Sequence, residues 1–331
     1  IFNPSNVQEI IDLGLIGWAM SRYAGVWVAL KAITETMDSS SSVSIDPDRI
    51  NIVIPEDFEL PAGGLHIRWP DQPLEQERRL QQHKIYAALA FAKANNVDRI
   101  VIDSPNPRLG IISTGKSYLD VMQALDDLGI DPDYAAELGL RVYKVGMPWP
   151  LERDGVRHFA KGLEEILVVE EKRAVMENQL KEQLYNWRDD VRPRVIGKFD
   201  ENGDWELPSA FELSPARIAR VIAARLEAFV TSPRIAERLA FLEKKDKQLD
   251  ATTTSGITRV PYFCAGCPHN SSTVVPEGSK AAAGIGCHYM VTWMDRDTTT
   301  FTHMGGEGAS WNGLSHFVET DHMFVNIGDG T

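Results

Sequence analysis

Four short apolar runs limit what this chain can fold into: Arg99-Ile100-Val101-Ile102-Asp103, Leu109 to Ser113, Leu140 to Val145 and Glu165-Ile166-Leu167-Val168-Val169-Glu170. Helical patterns surround them, at about Gln81 to Asn95, Ser117 to Leu128, Gly155 to Lys161 and a charged stretch running to Trp187. Strands alternating with helices of this length predict an α/β fold on a parallel sheet, because each helix can carry the chain back to start the next strand. Ser214-Pro215 opens a further helix through Phe229, with serine as cap and proline in the first turn. Arg188 to Pro208 reads as a loop with a turn at Asn202-Gly203.

The flanking segments are less regular. Asn6 caps an opening helix with apolar residues at Val7, Ile10, Ile11 and Leu13, and apolar positions continue at Trp27, Val28 and Leu30. Asp38 to Ser42 is a polar break, and Ile45 to Pro73 mixes β-like pieces such as Ile50 to Ile54 with prolines and glycines, as a connector does. Glu243 to Asp250 is a charged linker, and a new domain starts near Val260. Trp18, Trp27, Trp149, Trp187 and Trp205 read as core or domain-contact residues. The chain opens on Ile1-Phe2-Asn3-Pro4 and stops at Thr331, where a strand has finished and a helix should follow, so it reads as a segment of a longer polypeptide.

Composition removes several classes of function. A net charge of −13 disfavours nucleic acid and anionic membranes as partners. Three cysteines in 331 residues do not make a disulfide framework, and the odd count fits a reducing, cytoplasmic compartment. No apolar run approaches the length of a membrane span, and the first residues do not resemble a signal peptide.

The cysteines lie close together near the end. Cys264-Ala265-Gly266-Cys267 is followed by Gly284-Ile285-Gly286-Cys287-His288, which gives three of the four thiolates of a tetrahedral or [4Fe–4S] site. Zinc is a direct rival, because His269 or His288 could complete the set, and three buried apolar cysteines are the plainer alternative. Gly328-Asp329-Gly330 follows the apolar run Met323 to Ile327; an aspartate there can bind Mg²⁺ while the glycines let a diphosphate approach the backbone, although a plain turn would look the same. Met304-Gly305-Gly306-Glu307-Gly308 would let a helix start sit close to an anion, or is a loop. Gly110 to Ser117 matches the phosphate-loop pattern G-x-x-x-x-G-K-[ST] in full. Leu109, Ile111 and Ile112 are the strand itself, however, whereas a phosphate-cradling loop must follow its strand, so a strand-to-helix turn is the better reading.

Taken together, these blocks resemble the indolepyruvate:ferredoxin oxidoreductases, in the long fused bacterial form, which are thiamine diphosphate enzymes of the 2-oxoacid:ferredoxin oxidoreductase superfamily. The resemblance rests on Pro261 to Asn270, Gly284 to Met290, Trp293-Met294-Asp295-Arg296, Met304 to Gly308 and Gly328 to Thr331, in that order. It extends upstream to Asp12 to Tyr23 and to Arg108 to Tyr118. It implies the end of a pyrimidine-binding thiamine domain at 1–37, a connector at 38–79, and a transketolase C-terminal-like parallel-sheet domain with trailing helices at 80–230. A linker at 231–258 and the start of the pyrophosphate-binding thiamine domain at 259–331 would follow.

By the same resemblance Cys264, Cys267 and Cys287 are ligands of a [4Fe–4S] cluster, which favours iron over zinc. Asp329 is a Mg²⁺ ligand, and Met304, Gly305, Gly306, Glu307, Gly328, Gly330 and Thr331 lie around thiamine diphosphate, Glu307 being unusual for that loop. The glutamate that activates the aminopyrimidine, the remaining Mg²⁺ ligand and the fourth cysteine are expected outside this segment, and the residues that receive coenzyme A are not identified. The implied reaction is oxidative decarboxylation of an aryl 2-oxo acid such as indolepyruvate, with coenzyme A as acceptor and ferredoxin taking the electrons, in a protein expected to form dimers. A non-redox thiamine decarboxylase or transferase is the first alternative. A phosphate-loop NTPase or a zinc-binding module is the second.

Overall fold

A computed structural model of the chain describes residues 1–253 and 260–327. The chain divides into two compact units, Ile1–Gln248 and Leu249–Thr331.

The first unit is built on β1 (Arg99–Ile102), β2 (Leu109–Thr114), β3 (Leu140–Val145), β4 (Glu165–Val169) and β5 (Arg194–Ile196). They form one sheet in the order β1-β3-β2-β4-β5. All neighbours are parallel except the edge pair β1 and β3. The expected α/β architecture with parallel strands is therefore present. Ahead of the sheet come α1 (Val7–Ala24), the short α2 (Thr34–Met37) and α3 (Pro73–Arg79). A single π-turn at Leu80–Lys84 then leads into α4 (Ile85–Ala94). Between and after the strands lie α5 (Gly115–Asp127), α6 (Pro132–Leu138), α7 (Arg153–Ala160), α8 (Met176–Leu184), α9 (Pro215–Glu227) and α10 (Pro233–Thr253).

Successive side chains of a strand point to opposite faces, and β2 shows the consequence. Leu109 and Ile111 enter a core with Val121 and Leu125 of α5, Leu138 of α6 and Ile222 of α9. Ile112 turns the other way, to Val156 and Phe159 of α7 and Leu180 of α8. All six β2 residues are buried, and each large apolar side chain so placed contributes about 1.5–3 kcal/mol. A third core joins Phe2, Leu13, Met20, Phe91 and Met147. Lys144, at the end of β3, ties α1 down through the Glu9 carboxylate and the Ser5 hydroxyl, the latter at 3.0 Å.

β2 runs straight through the phosphate-loop pattern. A Cβ at Gly110 would lie 2.4 Å from Leu163 and 2.7 Å from Phe159, so that glycine lets α7 approach the sheet and faces no ligand. Other expectations need correction. The residues read as strand at Ile50 to Ile54 form no strand. The loop 188–208 contains β5, and the charged linker lies within α10. Trp18, Trp27, Trp149 and Trp205 are exposed rather than in the core; Trp187 packs partly against the β2–α7–α8 cluster. Among the described residues no helix is long and apolar enough to cross a membrane.

The second unit holds α11 (His269–Ser272), β6 (Lys280–Ala283), a 3₁₀ turn at Gly286–Trp293, β7 (Thr298–Phe301), α12 (Ala309–Leu314) and β8 (Met323–Val325). Its sheet has the order β7-β6-β8, and both pairings are parallel. All three strands therefore end at the same edge. Its core is small: Phe263, Ala283 and Val291, with Cys267, Met290 and Met294 packed against them.

Candidate functional site

Three of the motif blocks follow the three strands of this small sheet. β6 runs into Gly284 to Cys287, β7 into Met304 to Gly308, and β8 into Asn326 and Ile327. Gly328, Asp329, Gly330 and Thr331, the expected diphosphate and Mg²⁺ residues, lie outside the described residues. The carboxyl edge of a parallel sheet is where ligands of open α/β folds bind, because the loops there can approach a ligand without disturbing the strands. Gly284 keeps two of these segments in touch: a Cβ there would sit 2.8 Å from the Asn326 carbonyl oxygen.

Cys264 and Cys267 share one tight turn. The Cys267 N–H donates to the Cys264 carbonyl at 3.0 Å, and the Asn270 N–H donates to the Cys267 carbonyl at 3.0 Å. The Asn270 side-chain amide returns to the Cys264 carbonyl, also at 3.0 Å. Arg296 closes the arrangement by donating to the Asn270 carbonyl at 2.7 Å and to the Thr273 hydroxyl at 2.8 Å. Cys264 and Cys267 are thus presented by a segment with several independent restraints.

Cys287 sits at the start of the 3₁₀ turn after β6. All three cysteines are free thiols; Cys264 and Cys287 are exposed and Cys267 is half-buried, so the reading of three buried apolar cysteines fails. Gly266 and Gly286, each next to a cysteine, have φ of +76° and +67°, and a Cβ at either position would meet nothing within 4 Å. Left-handed glycines let the chain turn tightly beside each cysteine, and the space next to both glycines is open. Among the described residues, however, no three His, Cys, Asp or Glu side chains are gathered closely enough to hold a metal ion. The donor chemistry fits a thiolate-bound iron–sulfur group, and the arrangement leaves the set open.

Two histidines accompany the cysteines. His269 Nδ1 lies 3.2 Å from Cys267 Sγ. Its ring stacks on Phe263 with centroids 5.0 Å apart, and His288 meets it edge-on at 5.6 Å. His288 Nδ1 accepts the Gly284 N–H at 2.9 Å, so the imidazole proton is on Nε2, which is buried with no partner among the described residues. Burial, and then the neighbouring His269, hold His288 below the ordinary imidazole range.

In the loop after β7, Glu307 Oε2 accepts the Gly305 N–H at 2.8 Å and closes the glycine turn. Glu307 is 8% exposed, and its Oε1 is buried and unpaired among the described residues. Met304 is exposed and Gly306 buried in the same loop. The work done by Asn270 and Arg296 has no signature in the sequence. Both stand in recognisable blocks, but no spacing rule links an arginine to a carbonyl 26 residues earlier.

Residues 98–252 match the family described as the indolepyruvate ferredoxin oxidoreductase middle domain, and chains called indolepyruvate oxidoreductase subunit IorA match across most of the rest. The one from Methanothermobacter marburgensis is 25% identical over 86% of this chain and 41% of its own length, and the one from Pyrococcus abyssi 26% identical over 95% and 46%. Over residues 98–252 the chain is thus similar to the middle domain of the indolepyruvate ferredoxin oxidoreductases. The chain spans less than half the length of those relatives. Among solved structures it is similar to a 2-oxoglutarate:ferredoxin oxidoreductase from Magnetococcus marinus, 13% identical over 51% of this chain and 26% of that one, with a TM-score of 0.33. A split-gene transketolase is 12% identical over 40% of this chain and 42% of that one, with a TM-score of 0.28. Likeness at those scores carries nothing further about the site.

Proposed function

We propose that this chain supplies the electron-transfer and diphosphate-facing segments of a 2-oxoacid:ferredoxin oxidoreductase that converts an aryl pyruvate and coenzyme A to the aryl-acetyl thioester and carbon dioxide. The observation that carries the reading is the common edge of β6, β7 and β8, from which the Cys287 segment, the glycine loop and the chain leading to Asp329 all depart. Bound thiamine diphosphate would supply the carbanion chemistry, and an iron–sulfur group the single-electron steps toward ferredoxin.

The chain's own residues have simpler tasks. Cys264, Cys267 and Cys287 offer thiolates, and Asn270 with Arg296 holds the first two in place. Met304, Gly305 and Gly306 bring backbone close to the diphosphate, with Glu307 bracing the turn. In this reading Gly328, Gly330 and Thr331 also serve the diphosphate, and Asp329 binds Mg²⁺. The assembled protein is a dimer in this reading.

Iron and acid-labile sulfide, together with the EPR spectrum after dithionite, measured on the anaerobically purified full-length protein containing this chain, test it. A reduced-cluster signal should be present, and Cys264→Ala and Cys287→Ala should abolish it while thiamine diphosphate stays bound. Asp329→Asn should instead weaken Mg²⁺-dependent cofactor binding. Zinc, or no metal, in the wild-type protein would transfer the reading to a non-redox thiamine enzyme.

A further inference from the structure

We infer that His269 is a positioning residue for the electron-transfer group: its Nδ1–H donates to the Cys267 sulfur and raises the reduction potential of whatever iron–sulfur group that sulfur binds. The inference rests on the cysteines holding such a group, as proposed above.

The geometry is specific to one ring nitrogen. His269 Nδ1 is 3.2 Å from Cys267 Sγ, within the range for a hydrogen bond to sulfur. A thiolate bound to metal carries no proton, so it can only accept, and the proton must be on Nδ1. The ring cannot easily turn away. Phe263 covers one face, with centroids 5.0 Å apart and planes within 23°, and His288 packs edge-on at 5.6 Å. Behind it, the Thr273 N–H and hydroxyl both donate to the His269 carbonyl, and Arg296 donates to Asn270, the next residue. His269 is therefore restrained by two ring contacts and along its backbone.

Hydrogen bonds to cluster sulfurs are among the main determinants of potential, because a donor draws charge from the sulfur and so favours the more negative, reduced state. Here the N–H bond stays intact and no proton moves when an electron arrives. A buried donor stands beside this half-buried one: His288 Nε2 carries the proton and has no partner among the described residues.

The test is an EPR-monitored redox titration of the anaerobically purified full-length protein, with iron and sulfide measured on each sample. His269→Phe keeps a ring against Phe263 and removes the donor; His269→Asn places an amide N–H near the position of Nδ1. The expected result is wild-type iron content in both variants, a more negative midpoint potential in His269→Phe, and a return toward the wild-type value in His269→Asn. An unchanged potential in His269→Phe with the cluster intact would overturn the inference. Loss of iron in that variant would overturn it differently, by making His269 a ligand. A wild-type protein without iron would remove the functional reading beneath it, so the two failures are distinguishable.

Discussion

Asp98 Oδ1 accepts the backbone N–H groups of Gly146 and Met147, at 2.8 and 2.9 Å, while its Oδ2 is buried with no partner among the described residues. Burial pushes this carboxyl up to about 7, against the two hydrogen bonds that favour its charged form. A carboxyl raised on folding stabilises the protein fully below its unfolded value and loses that contribution as pH rises through its folded value. Stability should therefore fall between about pH 4 and pH 7, by at most about 4 kcal/mol. Asp98→Asn should flatten the slope in urea midpoints measured across that range; an equally steep slope in the variant would exonerate Asp98. Nothing in the sequence marks Asp98, because both hydrogen-bond donors lie 48 and 49 residues further along the chain, just past the strand β3 that pairs with β1. Lys116 is the opposite case, since its motif suggests nucleotide binding in plain view. Its ammonium is instead held by Asp120 at 2.8 Å and Glu212 at 2.9 Å, with Glu171 at 3.9 Å. The apolar pair Ile111-Ile112 was the legible clue, because a strand inside the pattern leaves no loop for phosphate.

At the scale of elements, α8 depends on a cap that local sequence does not provide. Val175, where its N-terminal cap should be, offers no side-chain acceptor. Glu170, just past the end of β4, accepts the N–H groups of Val175, Met176 and Glu177, each at 3.0 Å. Glu170→Ala should cost about 2 kcal/mol, at the upper end for a lost cap, because two of the three freed donors, the Met176 and Glu177 N–H groups, are buried. Hydrogen exchange should show amides 175–177 losing protection first; unchanged exchange there would mean another group does the capping. Elements with their own local signals were readable. Asn6 caps α1 by accepting the Glu9 N–H, and Ser214 caps α9. β3 has the bounds its apolar run suggests. α6 was missed although Asp131 and Pro132 form a standard start. β5 had no such signal: it is three residues long and exists because β4 offers it an edge. The cysteine blocks were legible by spacing, whereas the His269–Cys267 contact depends on how the turn is held.

Across the whole molecule the two units differ sharply in how much they bury. Residues 1–248 contain three extensive apolar cores. Residues 249–331 have one small cluster, Phe263, Ala283 and Val291, and among the described residues only Ala281 and Ala282 are buried apolar side chains besides it. A unit that small gains little from burial and commonly depends on a metal or a cofactor. Produced separately, 1–248 should unfold cooperatively in urea. The piece 249–331 should give a poorly dispersed amide spectrum until iron and sulfide are supplied anaerobically; good dispersion in the metal-free piece would contradict this. The parallel strands of that smaller unit have a further consequence. β6, β7 and β8 each release one loop at the same edge, so the loops are neighbours in space but separate in the gene. An engineer, or selection, can rewrite one of them, trading the glycine turn for a different anion cradle, while the thiol-bearing stretch is inherited unaltered.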